Sequence, residues 1–344
     1  MHLADLEAQL TALGAKPIHR ARLLRHWLQA IPLTQGKQGL DQFLPNPLQQ
    51  ALPDLMAAWS GMLSLHTREA AQDGSERLLL ALPDGQSVEA VLLPQREKAW
   101  GLCVSSQVGC AVGCGFCMTG TGGLIRQLTG GEILAQVVLA RSLRAVNKVV
   151  FMGMGEPSHN LDAVWEAIQW LGQEGGIGHK SLVFSTVGDE RALQRLGQGP
   201  VKPALALSLH TTKPELRRKL LPRAPALEPA WLVAQADAYA RASGYPIQYQ
   251  WTLLAGVNDA EEDEIVALLA GRYGILNLIP FNTVPDLPFE RPSWEAARDL
   301  AARLTKRGVL TKLRDSAGQD VEGGCGQLRA RIQAERPIKV FRKA

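Results

Sequence analysis

The chain has no apolar run of membrane-spanning length. Its first residues also lack the basic, apolar, small-residue order of an export signal. A soluble cytoplasmic protein with no membrane partner is therefore expected. Cysteine is scarce: five thiols in 344 residues, unevenly placed, exclude a secreted disulfide scaffold. No internal repeat and no low-complexity segment is present. An excess of one charge is also missing. Lys and Arg number 37 against 33 Asp and Glu, and the net +4 is too weak to argue for an RNA partner by itself. What is present is 46% hydrophobic residues, which makes global disorder untenable, on a length that suits one barrel-sized domain with a small appendage.

Basic residues do gather locally. Arg20, Arg22 and Arg25 form one group, Arg217, Arg218, Lys219 and Arg223 a second, and Arg329, Arg331, Arg336, Lys339, Arg342 and Lys343 a C-terminal third. Each alone reads as a solvated face. The tail lies close to a cysteine of interest, Cys325, which raises the expectation of phosphate contact there.

Residues 1 to about 70 read as helical. Leu3, Leu6, Leu10 and Leu13 make an apolar stripe at helical spacing, Gly14 and Pro17 break it, and His19 to Ala30 begins a second helix. From residue 76 the pattern changes to two short apolar runs around Pro83-Asp84-Gly85, a hairpin signal. Strand-like runs then alternate with helical ones. The strands are expected at 101–105, 148–152, 181–185, 204–209, 247–253 and 275–280, with a last one near 309–313. Helices are expected at 130–143, 161–171 and 229–242. Such alternation points to βα units around a parallel sheet. The chain thus divides into an N-terminal helical accessory domain (1–75), a hairpin extension (76–98) and a core (99–344) ending in a loop and a basic tail.

The chemistry concentrates in Cys110-Ala-Val-Gly-Cys114-Gly-Phe-Cys117, just after the first core strand and so at the strand's C-terminal end, where barrel active sites sit. Three thiolates at this C-x3-C-x2-C spacing suit three irons of a [4Fe–4S] cluster and leave the fourth iron open to a small molecule. A zinc site is the rival, but it wants a fourth ligand, which Cys103 alone is placed to give. Thr129-Gly130-Gly131-Glu132 reads as a capping box opening a helix. Gly153-Met154-Gly155-Glu156-Pro157 follows a strand, and a carboxylate among exposed carbonyls there suits a cationic amino group. Ser185, Ser208, His210 and Asn282 also end strands and would ring a barrel mouth. Cys103 precedes the cysteine motif, and Cys325 lies in the glycine-rich run Glu322-Gly-Gly-Cys-Gly-Gln327, which can move. Two unrelated buried thiols is the plain reading of that pair. A transient catalytic disulfide is the other.

With these motifs in order, the chain resembles the RlmN/Cfr family of radical S-adenosylmethionine (SAM) RNA methyltransferases. The resemblance rests on Cys103-Val-Ser-Ser-Gln-Val-Gly-Cys110, the cysteine motif, Phe151 to Pro157, Ser208-Leu209-His210, Gly256-Val-Asn-Asp259, Asn277 to Asn282 and Cys325-Gly-Gln-Leu328. It covers about residues 80 to 330. It implies a partial open (β/α)6 barrel, a [4Fe–4S] cluster on Cys110, Cys114 and Cys117, and SAM contacts from Gly155, Glu156, Ser185, Ser208, Leu209, His210 and Asn282. It further implies that Cys325 accepts a methyl group from one SAM and that a second SAM yields a 5′-deoxyadenosyl radical, which activates that methyl group for addition to an adenine ring. Cys103 then resolves the adduct through a disulfide. Glu89 matches the position of the proton acceptor, although a solvent-facing hairpin residue reads equally well there. The implied partners are ribosomal RNA, transfer RNA and an electron donor such as flavodoxin or ferredoxin. Methylation at adenosine C2 is the familiar outcome. C8 methylation, or a radical SAM enzyme acting on another substrate such as a protein, is the alternative. Met118, Val187 to Glu190 and the proline-rich stretch Thr283 to Pro292 depart from the family pattern, in loops of the kind that set substrate choice.

Overall fold

The computed structural model describes residues 2–35, 39–95, 99–284 and 287–329. Four helices open the chain: α1 (Leu3–Ala12), α2 (Pro17–Leu28), α3 (Leu40–Phe43) and α4 (Asn46–Ser60). Leu3, Leu6 and Leu10 are buried, so the leucine stripe is a packing face. Pro17 does more than break the first helix. It occupies the first turn of the second, where its missing N–H would have no partner anyway. The helical reading runs out at Ser60. Residues Ser64–Ala70 form a strand, β1, antiparallel to β2 (Glu76–Ala81), with a shifted register after Leu65. This strand is mostly exposed and polar, so no apolar alternation marks it, and its pairing partner determines its conformation.

β2 and β3 (Ser87–Pro94) form the expected hairpin, and β3 pairs antiparallel with β4 (Trp100–Cys103). From β4 onward every added strand is parallel: β7 (Val146–Phe151), β8 (Leu182–Thr186), β9 (Ala204–Ser208), β10 (Ile247–Leu253), β11 (Gly274–Pro280) and β12 (Thr311–Leu313). One ten-stranded sheet results, in the order β1-β2-β3-β4-β7-β8-β9-β10-β11-β12. Six parallel strands from β4 to β11 make the open (β/α)6 unit, β12 extends it, and the sheet does not close. A separate two-stranded ribbon, β5 (Gln107–Gly109) and β6 (Leu124–Gln127), has no counterpart in the sequence reading.

The connecting helices are α5 (Gly130–Leu143), α6 (Leu161–Gln173), α7 (Glu190–Leu196), α8 (Pro214–Leu220), α9 (Pro229–Ser243), α10 (Glu262–Leu269) and α11 (Trp294–Lys306). The capping box at α5 is formed: Thr129 Oγ1 accepts from Glu132 N and Glu132 Oε2 accepts from Thr129 N at 2.8 Å. No helix among the described residues is long and apolar enough to cross a membrane.

Candidate active site

Every site residue expected at a strand end sits at the carboxyl ends of the parallel strands. The Cys110–Cys117 loop is held by the β5–β6 ribbon, which closes its base. Gly109 sits in that ribbon at φ +77°, and a Cβ there would lie 2.0 Å from Gly123 O, so a side chain cannot be accommodated. Around the thiols Val112, Phe116, Leu220, Leu221 and Phe281 form an apolar nest separate from the main core. The departing segment after Asn282 joins it, with Phe289 edge-on to Phe281 at 6.1 Å. Residues Pro285 and Asp286 lie outside the described residues, as does the basic tail beyond Arg329.

Cys110, Cys114 and Cys117 line a cavity of about 160 Å³ together with Glu156, Ser185, Ser208, His210 and Asn282. Burial pushes the Cys110 thiol up to about 12, and Cys114 well above its usual value. Thiols buried as Cys110 and Cys114 are favour ionisation only when a cation joins them. Yet no three His, Cys, Asp or Glu side chains among the described residues are positioned to share one ion.

The remaining walls can hold a polar cofactor. Gly155 has φ +102°, and a Cβ there would lie 2.6 Å from the Gln107 side chain, so the turn brings backbone to the cavity edge. Glu156 is buried. Its carboxylate accepts from Ser158 N at 3.0 Å and Val187 N at 3.1 Å, with lone pairs to spare. His210 sits at φ +61°, its Nδ1 accepting from Thr252 N at 3.0 Å. Burial, with Arg217 nearby, lowers its pKa to about 3, so the ring is a neutral Nε2–H donor. Asn282 donates through Nδ2 to Cys325 O at 2.9 Å, and its buried Oδ1 has no partner. A buried acceptor without a partner, on a cavity wall, suits a bound donor. Leu209 lies between Ser208 and His210, but its side chain belongs to the main core and does not line the cavity.

Sequence reasoning missed Arg217. It is buried, not part of a solvated face, and donates through Nη2 to the carbonyls of Val187 and Ser208. Burial lowers its pKa to about 10, with Cys114 and Glu156 acting in the opposite sense. Its neighbours Arg218 and Lys219 gave the cluster a surface look, and helical spacing around Leu220 was the only signal that one member turns inward. Gln250 and Thr252 on β10 were also missed; both line the cavity.

Cys103 and Cys325, distant in sequence, line one further cavity of about 480 Å³. Cys103 is buried at the end of β4, and burial raises its thiol far above the usual value, with Cys325 adding to the effect. Cys325 stays accessible on its loop, although surrounding protein still raises its thiol. All five cysteines are free thiols, so no disulfide is present. The Cys325 loop rests on the cysteine motif: Met118 N donates to Gly326 O at 2.7 Å and Thr119 Oγ1 to Leu328 O at 2.6 Å. Glu89 is wholly buried, which removes the solvent-facing reading. Its carboxylate accepts from Arg77 Nη1 at 2.6 Å and Arg329 N at 2.8 Å, and it lines neither cavity.

An open parallel half-barrel with thiols at its mouth defines a barrel enzyme whose reaction centre is built on sulfur. Comparison with known proteins agrees. The radical SAM superfamily model matches residues 104–269. A protein of Methylibium petroleiphilum named "Probable RNA methyltransferase" is 64% identical over 99% of this chain and 96% of its own length. A namesake from Pseudomonas aeruginosa is 57% identical over 98% and 99%. The crystal structure of a radical SAM methyltransferase from Sphaerobacter thermophilus superposes with a TM-score of 0.80 at 35% identity, covering 96% of this chain and 98% of that one. The chain belongs to the radical SAM methyltransferases.

Proposed function

We propose that this enzyme is an RlmN/Cfr-type RNA methyltransferase that adds a methyl group to C2 of an adenosine in ribosomal RNA, with transfer RNA as a second substrate. The relatives' names support RNA as the substrate. The observation that carries the finer reading is the meeting of Cys103 and Cys325 in one cavity that abuts the three-cysteine loop.

Cys110, Cys114 and Cys117 would hold a [4Fe–4S] cluster. Bound SAM and that cluster, given an electron from a donor such as flavodoxin or ferredoxin, supply the methyl group and the radical chemistry. The chain's own residues do the rest. Glu156 takes the ammonium of SAM, while Ser185, Ser208 and Asn282 offer partners to its oxygens. Gly155 lets the backbone approach, Leu209 fixes the turn, and neutral His210 donates without adding charge. Cys325 carries the methyl carbon as a thioether. Once that carbon has joined the ring, the Cys103 thiolate attacks the Cys325 sulfur. The S–C bond breaks with its electron pair passing to the carbon, which takes up a proton to become the ring's methyl group, an S–S bond forms, and an external thiol must reduce it before the next cycle. Glu89 can accept the ring proton only after Arg329 N and Arg77 loosen, so proton removal is coupled to movement of the C-terminal loop. In this reading residues 1–75 are an accessory unit, 76–98 a hairpin extension and 99–344 the catalytic core.

The test is mass spectrometric. After incubation with SAM, intact wild-type protein should gain one methyl group on Cys325, and digested RNA should contain 2-methyladenosine. Cys325→Ala should abolish methyl transfer, and Cys103→Ala should leave RNA covalently attached to the protein. Full turnover by either variant would sink the two-thiol scheme, and a methyl group at C8 would correct the position.

A further inference from the structure

The two cavities share Cys117, Met152, Gln250, Ile279 and Cys325, so Cys325 stands at their junction. The outer one holds the cluster cysteines. The inner one runs down the barrel interior, and at about 480 Å³ it is in the size range of small-ligand sites. Gly101 on β4 and Lys148 on β7, paired in register, both line it, and the Gln95 amide lies 3.3 Å from where a Cβ on Gly101 would stand.

Lys148 is half-buried and has no carboxylate partner among the described residues. Arg314 lines the same cavity. Its Nε donates to Asn277 Oδ1 at 3.0 Å, and it too has no ion pair among the described residues. Two carboxylates, Asp73 and Asp315, also line the cavity, and neither bonds to Lys148 or Arg314. Asp73 accepts from Ser75 and from Gly318 N, and Asp315 accepts from Arg291 and Gln319. Exposed Lys180 adds a third positive charge near Lys148. Burial, Arg314 and Lys180 all lower the Lys148 pKa. Two cations on one partly buried space, neither paired with a carboxylate among the described residues, make a seat for an anion of the ligand. The amides of Gln248 and Gln250 line the same space and suit the hydrogen-bonding edge of a base.

We propose that the inner cavity seats the acceptor nucleotide, with its phosphate on Lys148 and Arg314 and its base turned toward Cys325. This assignment rests on the RNA reading above. It separates the reaction spatially, with cofactor on one side of the methyl-carrying sulfur and acceptor on the other.

The test uses full-length holoenzyme saturated with SAM and kept without reductant, so that the outer cavity is filled. Titration calorimetry should show adenosine 5′-monophosphate binding roughly tenfold or more tightly than adenosine, a margin expected of charge-assisted hydrogen bonds. Lys148→Met and Arg314→Met should each shrink that margin, and Lys148→Arg should restore it. In turnover, Lys148→Met should raise KM for RNA about tenfold while kcat stays within about twofold, the pattern of lost binding that ground and transition states share. Equal affinity for nucleotide and nucleoside, or an unchanged KM in Lys148→Met, overturns the proposal. A wild-type enzyme that prefers the nucleotide in this way yet methylates no RNA upholds the phosphate seat and overturns the RNA reading instead.

Discussion

Two loops face each other over the barrel mouth, and they are held by different forces. The Cys110–Cys117 loop sits in an apolar nest of Val112, Phe116, Leu220, Leu221 and Phe281. Each such side chain contributes about 1.5–3 kcal/mol when buried. The loop from Asp315 to Leu328 has little apolar anchorage beyond Leu328. Polar links hold it instead: Gly318 N to Asp73, Gln72 N to Asp320, Cys325 O to Asn282, and Met118 N and Thr119 Oγ1 to the carbonyls of Gly326 and Leu328. A hydrogen bond of this kind is worth about 0.5–1.5 kcal/mol net. The second loop therefore opens at lower cost than the first. The difference matches the work proposed above for each, since metal ligands would need fixed sulfurs whereas a sulfur that carried a group between two cavities would have to move.

The sharpest way to break this contrast is to remove one sulfur from each loop. Cys114→Ala should strip the iron centre, seen as loss of visible absorption and of bound iron. Methyl transfer should then fall by about a thousandfold or more, because the whole radical step is lost. Cys325→Ala should keep its iron. Full iron content in Cys114→Ala would show that the nest does not gather its thiols around a cluster.

A smaller but still large effect is expected at Arg77. Its guanidinium bridges Glu69 at 2.5 Å and Glu89 at 2.6 Å, and Glu89 is completely buried. Arg77→Met leaves that carboxylate charged and poorly compensated, which costs about 3–5 kcal/mol. Burial works against the Arg77 cation, yet the two carboxylates hold its pKa above the usual arginine range, so the guanidinium stays charged. Denaturant titration should show the loss, and Arg77→Met with Glu89→Gln should recover much of it. Glu89 also accepts from Arg329 N, so Arg77→Met should free the end of the Cys325 loop and leave the cysteine motif in place. An equal loosening of both loops would count against their independence.

The parallel strands and the cysteine loop were legible in the sequence because their signals are local. β10 alternates apolar and polar residues (Ile, Tyr, Trp and Leu against Gln, Gln and Thr) and is found at Ile247–Leu253 as expected, and a C-x3-C-x2-C spacing needs no tertiary knowledge. Glu156, Ser185 and Asn282 were readable because strand ends fix where their residues point. Legibility failed where a partner distant in sequence decides. β1 looks like loop until β2 pairs with it, and the β5–β6 ribbon is only three and four residues long. Arg217 shares its composition with exposed neighbours, and only packing against the Val187 and Ser208 carbonyls turns it inward. Glu89 gave two readings because its partner Arg329 N comes from the far end of the chain.

The smallest predicted effect probes the Cys325 loop alone. Asp73 Oδ1 accepts from Ser75 N and Oγ, and Oδ2 accepts from Gly318 N at 2.9 Å. Burial raises this carboxyl, but the hydrogen bonds from Ser75 and Gly318 outweigh it and hold its pKa below the ordinary 3.8. A depressed carboxyl stabilises the folded form above its unfolded value, and the contribution fades as pH falls through the folded one. Asp73→Asn at neutral pH either turns an amide N–H toward Gly318 N or breaks the Ser75 pair, at a cost of about 1 kcal/mol. Amide exchange at Gly318 should quicken by roughly fivefold, with the cysteine motif unchanged. The gap between wild type and variant should hold steady from neutral pH down to about pH 5 and close below the ordinary carboxyl value, as wild-type Asp73 takes up its own proton. A gap that persists at acid pH would mean that the bond to Gly318 owes nothing to the charge. Faster exchange spreading into residues 110–117 would mean that the two loops open together.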